Sequence, residues 1–175
     1  MQNPVTGSGG MLVGTVREIG PAFPDKKLAV GDRIASLVSL SLTPLKIEKI
    51  LRLDPESDQV DVEARAILFE SGIYAKIPSD MPEKLALSAL DVAGAPAQTA
   101  KLVKPGNTVV IIGAGGKSGM LCCYEAKKRA GVTGKVIGIT HSQKSTDRLT
   151  ALGFCDHVFS ADATQPVAVL EKIEE

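Results

Sequence analysis

Two rhythms of apolar and polar residues succeed one another along this chain, and they change over near residue 80. Before it, short β-type runs are parted by Gly, Pro and Asp: MLVGTVREIG, then VGDRIASLVSL, then KIEKILRL and QVDVEARAILF on either side of the polar turn DPESD. In the last run Val60, Val62, Ala64, Ala66 and Leu68 recur at every second position, the period of a strand with one face buried. The pattern predicts a small antiparallel β module over residues 1–80, shaped as a partly open barrel.

After Pro78 the spacing turns helical. In SDMPEKLALSALDVAGAPAQTAKLV, Ser79 or Asp80 is placed to cap a helix that carries Pro82 and Glu83 in its first turn. Gly94 and Pro96 then predict a break, so residues 81–106 read as a connecting helical segment. From Asn107 onward strand and helix alternate. TVVIIG and KVIGIT are apolar at nearly every position, which suits central parallel strands covered on both faces. SGMLCCYEAKKRAG and STDRLTALG supply the helices between them, ended by Gly131 and Gly153. HVFSAD predicts a third strand and TQPVAVLEKIEE a third helix. Residues 107–175 thus predict an α/β unit, the first half of a doubly wound parallel sheet.

Bulk composition narrows the function by exclusion. Twenty basic and twenty acidic residues cancel, and aromatics make up 3% with no Trp, which argues against a nucleic-acid partner. No apolar run approaches the roughly 18 residues of a membrane span. The opening MQNPVTGSGG has no basic segment leading an apolar one. Cys122, Cys123 and Cys155 make neither an even framework nor a metal-type spacing and read as free thiols. Together these give the expectation of a cytoplasmic protein.

The chemistry concentrates in VVIIGAGGKSGMLCC. A strand entering a helix through a glycine turn aims backbone N–H groups at one point, and the helix dipole adds positive charge there, so a pyrophosphate suits the spot. Gly113 permits the turn, and Gly115 and Gly116 leave room for phosphate against backbone. A strict G-x-G-x-x-G spacing would put its third glycine at Ser118. Gly119 follows one place later and is placed to allow close helix–strand packing instead. Lys117 and the Ser118 hydroxyl add charge and a hydrogen bond. The plainer alternative is a glycine turn without a ligand. At the end of the second strand, where an acidic residue often takes the ribose hydroxyls, Thr140, His141, Ser142 and Lys144 stand instead. They suit a 2′-phosphate or form only a polar loop and cap, so NAD and NADP both stay open.

VGTVREIG, LAVGDRIA, YAKIPSDMP, VKPGNTVVIIGAGGKSG and ALGFCDHVFSAD, in that order, resemble the medium-chain dehydrogenase/reductase superfamily over nearly the whole chain. The resemblance implies a partial GroES-like β-barrel followed by the first half of a Rossmann sheet. It also implies a chain that opens within the barrel and stops midway through the sheet, an internal portion of a longer protein with Met1 an added start. Zinc-dependent members carry Gly-His-Glu-x-x-Gly before this strand. Aligned on Gly14, the matching residues are Gly9, Gly10 and Met11, so the resemblance implies a zinc-independent member with no metal.

The wording NPVTGSGGMLVGTV with IIGAGGKSGMLC points within the superfamily to NAD(P)-dependent oxidative deamination of a small diamino acid. In that reading Asn3, Thr6 and Ser8, in the loop that replaces the zinc loop, orient the substrate amine; the alternative is that NPVTGSGG is a flexible turn. A homo-oligomer, most simply a dimer, is expected. Two other functions compete: a zinc-independent quinone or enoyl reductase using NADPH, and a nucleotide-binding module without catalysis.

Overall fold

Glycine and proline punctuation divides the chain into the elements seen in a computed structural model, which describes residues 10–25, 27–36, 43–56 and 59–174. The elements fall into two units, Met1–Asp91 and Val92–Glu175. Asn3, Thr6 and Ser8 lie outside the described residues.

The first unit is antiparallel. Strands β1 (Val13–Thr15), β2 (Arg33–Ser36) and β5 (Tyr74–Lys76) form one sheet with β2 in the middle. Its central place explains why Ile34, Ala35 and Ser36 are buried. The Ser36 hydroxyl accepts the Leu12 N–H at 3.0 Å, which satisfies a polar group that burial would otherwise penalise. Helix α1 (Glu83–Leu90) packs on β2 with Ala86 buried, and Glu83 pairs with Arg33. Neither Ser79 nor Asp80 caps α1. Pro82 occupies the N-cap with φ −58° and offers no side-chain acceptor, because the proline ring already fixes the φ that the chain needs to enter the helix.

Strands β3 (Leu45–Asp54) and β4 (Gln59–Ala66) form a separate antiparallel hairpin. Leu45, Ile47, Ile50 and Leu53 pair with Ala66, Ala64, Val62 and Val60, and register shifts lie between Ile47 and Lys49 and between Ile50 and Arg52. Each shift admits one extra residue, which converts a spacing of three into one continuous apolar face. The opposite face carries Lys46, Lys49 and Arg52 across from Arg65, Glu63 and Asp61. The alternation in β4 thus sorts its faces, but the expected burial is absent. Val60 is 52% exposed and Ile50 57%, since no other described element packs on that face closely enough to cover it.

The second unit runs α2 (Gly94–Leu102), β6 (Thr108–Ile112), α3 (Lys117–Ala130), β7 (Lys135–Thr140), α4 (Gln143–Leu152), β8 (His157–Ser160) and α5 (Pro166–Glu174). The break foreseen at Gly94 and Pro96 falls just before α2, with Pro96 in its first turn, where a missing N–H costs nothing. The sheet is parallel in the order β6-β7-β8. Five consecutive residues of β7, Val136–Thr140, are buried, as two-sided cover requires. β6 lies at the edge of the sheet among the described residues, and its Ile112 is 61% exposed.

Small residues bring α3 close to the sheet. Gly119, Cys122, Cys123, Ala126 and Ala130 are its buried face, and Leu149 of α4 closes the core against Val136 and Ala114. Gly131 and Gly153 end α3 and α4 with φ 67° and 66°, a region where a side chain is penalised.

Candidate dinucleotide site

Three strand ends meet at one edge of the parallel sheet: the turn after β6, the turn after β7, and Ala161–Asp162 after β8. They are fastened to one another by backbone. Ala114 N–H donates to Ile139 O and Ala161 N–H to Thr140 O, each at 2.9 Å. Open parallel sheets place ligands outside these carboxyl ends.

The β6–α3 turn is fixed by geometry that only glycine allows. Gly113 has φ 75°, a backbone state that L side chains rarely adopt. A Cβ on Gly119 would lie 2.3 Å from Gly113 O and 2.7 Å from Ala114 Cα. Both are backbone atoms and cannot give way, so Gly119 permits the close helix–strand approach. Gly115 is constrained from elsewhere, because its Cβ would stand 2.6 Å from Ser145 Cβ in α4. A Cβ on Gly116 would meet nothing nearer than Gly113 O, at 3.5 Å.

The two helix starts that frame this edge are finished differently. α4 is capped: Ser142 Oγ accepts the Ser145 N–H and donates to Ser145 Oγ at 3.1 Å. Thr140 Oγ1 and Thr146 Oγ1 share a hydrogen bond of 2.6 Å, and Thr140 is buried. The hydroxyls of Thr140 and Ser142 therefore hold the start of α4, while His141 and Lys144 are exposed beside it. At α3 the N-cap is Gly116 and no side chain caps the helix. Helix geometry leaves the N–H groups of Ser118 and Gly119 without intrahelical acceptors, the feature by which helix starts receive a pyrophosphate. Lys117 is exposed at the same helix start and Ser118 half-buried.

Two contributors were not legible in the sequence. Ser145 decides that position 115 must be glycine, and its spacing from Gly115 says nothing of that contact. Asp162 stands at the third strand end. The backbone N–H and hydroxyl of Thr164 hold its carboxyl below the usual range, and His141 adds a smaller attraction. Among the described residues no group of three or more His, Cys, Asp or Glu side chains converges as a metal site would require, and no helix is long and apolar enough to cross a membrane.

Residues 1–78 match the family described as the L-erythro-3,5-diaminohexanoate dehydrogenase N-terminal domain. The chain is 63% identical to the L-erythro-3,5-diaminohexanoate dehydrogenase of Acetoanaerobium sticklandii over 172 residues, covering 98% of this chain and 50% of that protein. It is 60% identical to the protein of the same name from Fusobacterium nucleatum over 176 residues, covering 100% of this chain and 51% of that one. The chain therefore spans about half the length of the curated relatives it matches. Among solved structures, the quinone oxidoreductase of Escherichia coli in complex with NADPH aligns with a TM-score of 0.56 at 19% identity, over 90% of this chain and 42% of that one. At that identity the likeness is one of fold.

Proposed function

We propose, taking the kinship with the L-erythro-3,5-diaminohexanoate dehydrogenases as premise, that this chain carries the phosphate-binding half of a nicotinamide-dinucleotide site. The enzyme to which the site belongs oxidatively deaminates L-erythro-3,5-diaminohexanoate to 5-amino-3-oxohexanoate in anaerobic lysine fermentation. The observation that carries this reading is the uncapped start of α3 behind a turn at Gly113, Gly115, Gly116 and Gly119. In this reading the first unit is part of a GroES-like barrel and the second the first half of a Rossmann sheet. The protein is taken to be cytoplasmic and a homo-oligomer, most simply a dimer, and the 175-residue chain by itself is expected to self-associate along the outer edge of β6, which no described strand occupies.

When bound, the dinucleotide supplies the hydride acceptor, and the imine left at C3 of the substrate hydrolyses to the ketone and ammonia. The chain's own residues bind and orient. The N–H groups of Ser118 and Gly119 receive the pyrophosphate with the dipole of α3 behind them, and Lys117 adds charge. His141 and Lys144 border the adenosine ribose, where the lack of a carboxylate on β7 leaves either NAD or NADP admissible. Asn3, Thr6 and Ser8 are assigned to the substrate amine.

Calorimetric titration with NADH and NADPH tests the site. Binding is expected for the unaltered chain and none for Gly115→Val. Because Gly115 also faces Ser145, Gly115→Ala should be compared with the double variant Gly115→Ala/Ser145→Gly, in which the clash in α4 is relieved. Affinity that stays low in a stable double variant places the phosphate at residue 115; restored affinity means the glycine serves packing alone. Formation of NADH from NAD⁺ on addition of L-erythro-3,5-diaminohexanoate to the enzyme tests the substrate.

A further inference from the structure

The hairpin β3–β4 has two sides of opposite chemistry, and only one of them suits water. Its charges answer one another: Arg52 donates to Asp61 at 2.8 Å, and Glu48 pairs with Arg65 at 3.5 Å and with Lys46 at 3.9 Å. On the other face every cross-strand pair is apolar: Leu45 with Ala66, Ile47 with Ala64, Ile50 with Val62 and Leu53 with Val60. None of these positions carries a charge, yet the β3 side chains among them are 40% to 62% exposed. At such exposures the face presents roughly 600 Å² per copy, so two such faces together would bury about 1,200 Å², the lower bound of a specific interface. That is the top of what a monomer leaves open, and a two-stranded hairpin is marginal in water without a packed face. The face is also asymmetric. β3 supplies the large side chains, whereas β4 supplies Val and Ala.

We propose that a second copy of this chain occupies the face, its hairpin stacked on the first about a two-fold axis parallel to the strands. Such an axis lays β3 of one copy over β4 of the other. Each large residue then falls over the small partner of its own cross-strand pair: Leu45 over Ala66, Ile47 over Ala64, Ile50 over Val62 and Leu53 over Val60 of the other copy. The contact is isologous, so large meets small in both directions. An axis across the strands would set large against large and small against small, which packs poorly at the ~10 Å spacing of stacked sheets. Neither copy buries an unpaired charge. The area is small, so the association is weak, with a dissociation constant on the order of tens of micromolar. In dilute solution the faces are apart, and truncating one side chain there alters folding little; the loss falls on association. The contact is separate from the β6 edge and stands whether or not that edge pairs.

The test is methyl NMR of the full chain, labelled at isoleucine and alanine, across a concentration series that brackets the dissociation constant. The Ile47 and Ile50 signals should shift with concentration, while those of Ile137 and Ile139, buried in the parallel sheet, stay still. In a sample mixing differently labelled copies, cross-copy contacts should join Ile47 to Ala64. Ile50→Glu should weaken the association read from the Ile47 signal by about tenfold or more, because the charge would be buried unpaired. Lys49→Glu, on the polar face, should leave it within about twofold. Ile47 and Ile50 signals that stay still while Ile112 moves would confine pairing to β6 and overturn the proposal. So would cross-copy contacts joining Ile47 to Ile47, which require the other axis. Contacts from Ile47 within one copy that persist at the lowest concentration would overturn it too, since the chain would then cover its own face. Shifts that arise only on adding phosphatidylcholine vesicles would assign the face to a lipid surface instead.

Discussion

The hairpin β3–β4 and the strand β7 are both rich in Val and Ile, yet one shows its apolar face and the other shows nothing. In the hairpin, Ile47, Ile50 and Leu53 are 51%, 57% and 62% exposed. In β7, Val136 and Ile139 are 0% and 1% exposed. The difference lies in what flanks each. β7 has a strand on either side and α3 and α4 packed on it, whereas β3 and β4 have only each other in their sheet. Apolar pattern states which face seeks cover. It does not state whether the cover comes from the neighbouring elements.

That contrast can be broken most severely at the helix–strand contact beneath the glycine turn. Gly119→Val is expected to cost about 4 kcal/mol or more, because the added carbons meet Gly113 and Ala114 backbone that has nowhere to move. Urea denaturation followed by circular dichroism should show the parallel unit unfolded or barely stable. A loss below about 1 kcal/mol would mean that α3 can slide away from β6.

Leu149→Ala removes the side chain that closes the core over β7 and should cost about 3 kcal/mol. A midpoint unchanged from the parent chain would show that α4 does not carry this core.

A smaller effect tests the rim of the same unit. Asp156 accepts from Lys127 Nζ at 2.5 Å and from Val136 N–H at 2.8 Å. Lys127 first, and the Val136 N–H after it, hold the carboxyl below its ordinary range against a burial effect that raises it. A lowered folded-state value means that the stabilisation is complete above about pH 4, the unfolded carboxylate range, and fades as pH falls through the folded value. The pair is partly solvated, so Asp156→Asn should cost about 1 kcal/mol or less at neutral pH. The gap between parent and variant should narrow on acidification below pH ~4. A gap that is constant with pH would assign the loss to packing.

Ile50→Ala, on the uncovered hairpin face, should change stability by less than about 0.5 kcal/mol. A loss comparable to that of Leu149→Ala would show that the face is buried in solution, and it would erase the contrast drawn above.

Period, punctuation and turn chemistry were enough for the sequence by itself to determine the order of elements. The switch near residue 80, the parallel alternation after Asn107, and the helix ends at Gly131 and Gly153 follow from backbone preferences that act within a few residues. The glycine turn was legible for the same reason, since φ at Gly113 is a local matter. Tertiary structure alone decided what each face meets. It left the hairpin's apolar side open. It also brought Ser145 over Gly115 and Cys155 beside Gly138. Those contacts join residues distant in the chain, and no periodicity encodes which surfaces will be pressed together.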